Sequence, residues 1–242
     1  MRVLPGLTLD LYPTKQDEID FWNKNGYLLI EELFSQTECQ SINDIHRAHA
    51  DKDFKGLINL DREVEEIRSL MKAPKVVSIM RALKGGREIV GLMTQIMFKE
   101  AGSPHSFGWS PHQDNAYPQS ENGEYFTINI PLVNQDRENG CMYIYPGSHK
   151  EGTFPFAPTP SYEAGKNPGN TIPDEIIKRY TRVDLLMKRG SALFLHGDVI
   201  HGSYNNPSDR SRPMFSMCYI PKGVTFIPGN TAKRMEISLT QD

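Results

Sequence analysis

The chain has 242 residues, 38% of them hydrophobic and 24% charged, with a formal net charge of -3. Such a make-up belongs to an ordinary globular protein long enough to bury one large core. The slight acidity argues against a broad electrostatic footprint for nucleic acid or an anionic membrane surface.

The N-terminal stretch "MRVLPGLTLDLYP" is interrupted by Asp10 and by prolines, unlike a signal peptide, and no apolar run approaches the ~20 residues of a bilayer span. Three widely spaced cysteines, Cys39, Cys141 and Cys218, form no CxxC pair, so a reducing cytoplasm is the expected compartment. "TKQDEIDFWNKNGY" predicts a helix capped by Thr14, with acidic residues in its first turn and an end at Gly26. "YLLIEEL" reads as a short strand, and Ser35 caps a second amphipathic helix running to about Ala50. Two more helical stretches are expected near 62–72 and 74–84. His46 and His49, three apart, could share a helix face; with no HExxH pattern around them, a solvated face is the reading.

After "KGG" the texture changes. "REIVGLMTQIMFKE", "EYFTINIPLV", "CMYIYPG", "VDLLMKRGSALFLHG" and "RPMFSMCYIP" are β-rich runs separated by Gly, Pro and Asn turns, with no helices between. The expected fold is mainly β with flanking helices: one domain over 1–242, built on a double-stranded β-helix (a cupin-like jelly roll). A helical layer would occupy about 1–85 and the β core about 86–228. The Pro- and Gly-rich stretch near 154–170 would be a lid-like loop.

Within this frame "PHQD" places His112 and Asp114 two apart, where strand geometry points both to one face and Gln113 away. A His-x-Asp match alone is weak, since about 0.4 are expected by chance in a chain of this composition. "HGD" at 196–198 repeats it. Context separates the two. His201, after an apolar strand and before Gly202, offers a third ligand for His112 and Asp114. Two histidines and a carboxylate on one face of an ion are the facial triad of non-haem Fe(II) oxygenases. His196 and Asp198 have no third ligand at workable spacing and read as a turn, with His196 a rim or core residue. His105 and His149 read as structural. Downstream, Arg210 and Arg212 follow His201, and Arg212 opens a β run. An inward arginine there could grip a dicarboxylate cosubstrate with two parallel hydrogen bonds.

The chain resembles the phytanoyl-CoA dioxygenase family of Fe(II)/2-oxoglutarate oxygenases over nearly its full length. The resemblance is carried by "EIDFWNKNGYLLIEELFS", "PHQD", "ENGCMYIYPGSHK" and "HGSYNNPSDRSRP". It implies iron ligands His112, Asp114 and His201, with Arg212 on the distal carboxylate of 2-oxoglutarate, Ser203 as a further partner and Arg210 as runner-up. Gln95 matches a strand position that faces the cosubstrate, and Thr127 and Asn129 alternate inward if Ile128 faces the other side. Asn129 stands where many relatives carry tryptophan. Related halogenases lose the carboxylate ligand, so the retained Asp114 favours hydroxylation. The implied cofactors are Fe(II), 2-oxoglutarate and O2. The expected partner is a small polar metabolite rather than nucleic acid or membrane, with Asn115 and Tyr117 as substrate contacts. The alternatives are an iron oxygenase on the same site that does not use 2-oxoglutarate, and a cupin-like module that binds metal or ligand without turnover.

Overall fold

The computed structural model describes residues 2–50, 56–103, 106–158 and 169–240. In chain order its elements are α1 (Gln16–Asn25), β1 (Tyr27–Ile30), α2 (Gln36–Ala48), β2 (Gly56–Ile58), α3 (Glu65–Met71) and α4 (Pro74–Leu83). Then follow β3 (Ile89–Lys99), β4 (Phe126–Pro131), β5 (Met142–Tyr145), β6 (Ala157–Pro158), β7 (Asn170–Thr171) and the one-turn α5 (Asp174–Ile177). The chain closes with β8 (Val183–Leu185), β9 (Ala192–His196), β10 (Ile200–Ser203) and β11 (Arg212–Pro221).

The helical entry is built largely as its residues dictate. Ser35 caps α2, its hydroxyl accepting from Glu38 N at 3.1 Å while the Glu38 carboxylate accepts from Ser35 N at 2.6 Å. The other oxygen of the wholly buried Glu38 meets Lys75 Nζ of α4 at 2.6 Å, a buried ion pair joining two helices of the layer. At α1 the cap is Lys15 rather than Thr14: Glu18 accepts from Lys15 N at 2.8 Å, whereas the Thr14 hydroxyl is buried without a partner. The strand that follows is shorter than "YLLIEEL", because Glu32 turns the chain with φ 55.

Two antiparallel sheets face each other. The larger has the order β1-β9-β4-β11-β3-β2 and the smaller β10-β5-β8. A single bridge between His112 and His201 adds the 112 segment to the edge of the smaller sheet. This is the double-stranded β-helix expected from the runs of short strands. Strand alternation then divides the larger sheet. Ile96 and Phe98 of β3, Phe126, Ile128 and Ile130 of β4, and Phe215, Met217 and Tyr219 of β11 pack outward on the helical layer as the main core. The residues between them face inward and line a cavity of about 630 Å³: Met93, Gln95 and Met97; Thr127 and Asn129; Arg212, Met214, Ser216 and Cys218. The outer face is apolar apart from Thr94, whose hydroxyl and N–H donate to the buried Asp61, whereas the inner face is mixed, as suits a sheet with core on one side and a chamber on the other.

Beyond the expected limit near 228 the chain is still part of this structure. Ile227 N donates to Pro118 O at 2.6 Å, and Ile237 pairs with Gly91 of β3. Asn59 fixes the segment between them, donating to Ala232 O at 2.8 Å. Residues 229–234 thereby cross the cavity as a strap. Most of the expected lid loop, 159–168, lies outside the described residues, as does His105. The ends of that loop pair as β6 and β7. No described helix is long and apolar enough to cross a membrane.

Candidate metal centre

His112 and His201 are brought together by their backbones. His112 N donates to His201 O at 2.9 Å and His201 N to His112 O at 3.0 Å, so both side chains rise on the inner face with ring centroids 4.4 Å apart. Each ring has Nδ1 committed to a carbonyl, Ser110 O at 2.7 Å for His112 and Val199 O at 3.1 Å for His201. That fixes the tautomer with a lone pair on Nε2. Both Nε2 atoms lie 3.6 Å from Asp114 Oδ1, longer than a hydrogen bond and short enough to share one ion. These three donors are the one group among the described residues that could hold a metal.

The residue between the ligands turns away, as strand geometry expects. Gln113 is wholly buried, donates to Gly152 O at 2.9 Å and Asp198 O at 2.6 Å, and accepts from Phe154 N at 2.7 Å. It pins the arm to the loops behind it. Asp114 is oriented from the opposite strand: its Oδ2 accepts from Thr127 Oγ1 at 3.1 Å, Thr127 Oγ1 from Asn129 Nδ2 at 3.3 Å, and Asn129 Oδ1 from Ser216 Oγ at 2.6 Å. Burial by itself would raise the Asp114 carboxyl, but His201, His112 and Thr127 outweigh it and hold the group well below the usual carboxylate range. Burial pushes His201 down to about 4. The set is two imidazole Nε2 atoms and a carboxylate, the donor chemistry of a divalent iron site with open positions.

A second feature lies deeper between the sheets. Arg212 is 1% exposed and pairs with no carboxylate among the described residues; its Nη2 and Nε donate to the same carbonyl, Gly140 O, at 2.8 and 3.2 Å. Beside it on β3, Lys99 is 3% exposed and donates to Ser203 Oγ at 2.8 Å, to Tyr204 O and, at 3.4 Å, to Gly140 O. Burial pushes Arg212 down to about 10 and Lys99 well below its ordinary value. Two buried cations with no described acid between them are costly unless an anion completes the site. Ser203 and Gln95 line the same cavity, and a dicarboxylate reaching from the three metal donors to Arg212 fits the donors present. The carbonyl that both cations share belongs to a glycine with φ 84, where a Cβ would stand 2.8 Å from Tyr204 O. The "ENG" motif therefore sits at a position only glycine fills without strain.

Lys99 was not singled out from the sequence, although alternation along "QIMFKE" puts it on the face of Gln95 and Met97. Arg210, the runner-up, is exposed and held by Asp136 at 2.9 and 3.0 Å. Tyr117 lines the cavity, its hydroxyl accepting from Asn170 N at 3.1 Å. Asn115 does not: it is buried in the turn after Asp114, its amide accepting from Ser120 N and Oγ at 2.8 and 2.6 Å and donating to Thr153 Oγ1 at 3.0 Å. The turn at Asp114–Ala116 holds Asn115 away from the cavity, where its side chain braces the loop. Gly202 lines the cavity, and protein packing alone calls for a small residue there, since a Cβ would meet Tyr143 Oη at 2.5 Å and Trp109 O at 2.6 Å.

The second His-x-Asp pair lies elsewhere. His196 packs against Trp22 and His149, and burial pushes it down to about 3; Asp198 accepts from Thr153 Oγ1 at 2.7 Å. His49 is exposed as expected. His46 is not on a solvated face: it is buried against Phe215 at 5.1 Å, with Nδ1 on Ile42 O at 2.6 Å.

The phytanoyl-CoA dioxygenase (PhyH) family model matches residues 22–214. Phytanoyl-CoA dioxygenase domain-containing protein 1 of Mus musculus is 28% identical over 225 residues, covering 91% of this chain and 72% of that protein. Among solved structures, the non-haem alpha-ketoglutarate-dependent carbocyclase SnoK from nogalamycin biosynthesis superposes with a TM-score of 0.73 at 20% identity, over 94% of this chain and 95% of that one. The epimerase SnoN, solved with Fe3+, alpha-ketoglutarate and nogalamycin RO, gives 0.72 at 21% identity over 94% and 96%. At such identities the structural likeness speaks for the fold. The family match spans most of the chain, and the chain therefore belongs to the phytanoyl-CoA dioxygenase family: by class it is a 2-oxoglutarate-dependent non-haem iron oxygenase, with Fe(II), 2-oxoglutarate and O2 as cofactors.

Proposed function

We propose that the chain hydroxylates a small polar metabolite, consuming 2-oxoglutarate and O2 and releasing succinate and CO2. The observation that carries the reading is Arg212, a fully buried guanidinium with no carboxylate partner among the described residues, in the same cavity as His112, Asp114 and His201. A module that bound metal alone, or an iron oxygenase without the dicarboxylate, would bear the cost of that buried charge for nothing.

In this reading His112, Asp114 and His201 hold Fe(II) through Nε2, Oδ1 and Nε2. Arg212 takes the distal carboxylate of 2-oxoglutarate, with Ser203 and Gln95 beside it and Lys99 adding a second positive charge. Iron and cosubstrate together supply the activation of O2 and the oxidising power. The protein's own part is placement. Ser110 O and Val199 O keep the two histidines in one tautomer, and the Ser216–Asn129–Thr127 chain aims Asp114. Asn129 serves that chain and leaves the inner wall polar. Met93, Met97 and Trp109 keep water from the reacting C–H, and Tyr117 contacts the substrate at the mouth.

The test has two stages. Anaerobic Fe(II) and 2-oxoglutarate should give the weak visible charge-transfer band of the chelate; its absence from folded protein refutes the reading. A metabolite screen for substrate-stimulated succinate then finds the substrate, and a product heavier by one oxygen atom separates hydroxylation from epimerisation or ring closure. Substrate oxidation without succinate would instead favour the oxygenase that does not use 2-oxoglutarate.

A further inference from the structure

With Asp114 on the metal and Arg212 on the cosubstrate, one charged side chain among the described residues lining the cavity is left without a role. It is Arg234, carried into the chamber by the C-terminal strap. The strap is held at both ends of the crossing, by Ile227 N on Pro118 O at 2.6 Å and by the pairing of Ile237 with Gly91. Arg234 is therefore delivered to a fixed place rather than trailing in solvent. Its Nη1 donates to Pro228 O at 3.3 Å, its guanidinium lies 5.6 Å from the Tyr125 ring centre, and no described carboxylate pairs with it. Its Nε is buried and has no hydrogen-bond partner. A buried donor left unsatisfied costs free energy that a bound acceptor returns.

The surroundings narrow what that acceptor belongs to. The cavity's carboxylate, Asp114, is committed to the metal, so a cationic substrate would meet Arg234 with nothing to offset it. Ile58, Met93, Trp109, Tyr117 and Tyr125 supply apolar and aromatic walls around the rest of the space. Arg212 is a separate anion site at the inner end, flanked by Ser203 and Lys99, whereas Arg234 belongs to the strap.

We propose that Arg234 pairs with an anionic group of the substrate, a carboxylate or a phosphate-type group, and holds the attached apolar or aromatic body against the metal donors. This rests on the hydroxylase reading above and names the substrate class: an organic acid or phosphate ester rather than an amine or a neutral alcohol. Arg234 is then a specificity-determining residue that reads the substrate's charge.

The test uses full-length protein loaded anaerobically with Fe(II) and saturating 2-oxoglutarate, so that Arg212 is occupied. Phenylacetate, phenyl phosphate and neutral phenylacetamide are titrated as probes, read by the fluorescence of Trp109. Wild-type protein should bind at least one anion about 10–100-fold more tightly than the amide, the scale of a hydrogen bond to a charged group. Arg234→Gln should abolish that preference, Arg234→Lys should keep part of it, and 2-oxoglutarate affinity should change less than about twofold in both. The tighter of the two anions identifies the head group. Wild-type protein that binds none of the probes, or binds acid and amide alike, overturns the proposal, as does Arg234→Gln with the preference intact. If Arg234→Gln does not fold, the Lys variant decides: it must retain anion preference. Loss of the chelate band in wild-type protein would instead count against the oxygenase reading itself.

Discussion

Replacing Arg212 by methionine should stabilise the protein without ligands and disable it as a binder of 2-oxoglutarate. Arg212 is 1% exposed, its donors reach only Gly140 O at 2.8 and 3.2 Å and Met214 Sδ at 3.9 Å, and the neighbouring cation is Lys99. Burial already pushes its pKa down to about 10, which means the charged form is disfavoured in the fold. Methionine fills much of the same volume without the charge. Replacing buried ionic groups by apolar ones commonly gains about 1–4 kcal/mol. For a chain of this length each kcal/mol moves the melting temperature by about 2–4 °C. The ligand side has the opposite sign. Truncating one partner of a buried, hydrogen-bonded charge pair costs about 2–5 kcal/mol, or roughly thirty- to several-thousand-fold in affinity. The assay is thermal unfolding with and without 2-oxoglutarate in the presence of metal, supported by calorimetric titration. Wild-type protein should melt lower alone and rise with 2-oxoglutarate, because a ligand that binds only the folded state stabilises it. Arg212→Met should melt higher alone and not respond. A variant that melts several degrees lower yet binds 2-oxoglutarate normally would show that Arg212 is a structural residue, and the cosubstrate assignment would fall.

Thr127→Val keeps shape but removes the hydrogen bond to Asp114 Oδ2, and metal affinity measured by competition with a chelator should drop about 10–100-fold while folding is retained. Alanine at His112 or Asp114 should remove metal binding and turnover. His196→Ala should leave the metal in place, because His196 packs with Trp22 and His149; loss of iron from that variant would mean that the wrong His-x-Asp pair has been assigned. Acid should destabilise the fold through its buried histidines. Burial lowers His46 to about 4 and His196 to about 3, so the unfolded chain, with both near 6.5, binds more protons. Stability is therefore lost as pH falls through about 6.5 and goes on falling to those lower values, by up to about 1.4 kcal/mol per pH unit for each histidine. His46→Gln should shrink the difference between urea midpoints at pH 7 and pH 5; an unchanged difference would assign the acid sensitivity to other groups.

What could be read from the residues alone was whatever depends on local periodicity or on a motif's own chemistry. The spacing of His112 and Asp114, the outward turn of Gln113 and the inward pair Thr127 and Asn129 all follow from a strand's period of two, and the structure has them so. Ser35 as a cap is equally local. Nearness along the chain is a weaker guide: Asn115 follows the metal arm directly, yet alternation puts it on the face opposite Asp114, and it braces the turn there instead of facing the chamber. The other outcomes needed distant parts of the chain. His46 lies on a helix that looks half-solvated until Phe215 of β11, the last strand, packs over it. His112 and His201 meet only because the 112 segment pairs with β10 at the edge of the smaller sheet. Lys99 and Arg212 become one cationic site only through the register of β3 against β11. Arg234 was invisible as a site residue, because its place depends on a strap pinned by Ile237 to Gly91, and side-chain pattern carries no information about where an irregular segment will be tied down. Alternation told which side chains face a chamber; the closing of the chain on itself decided which of them share it.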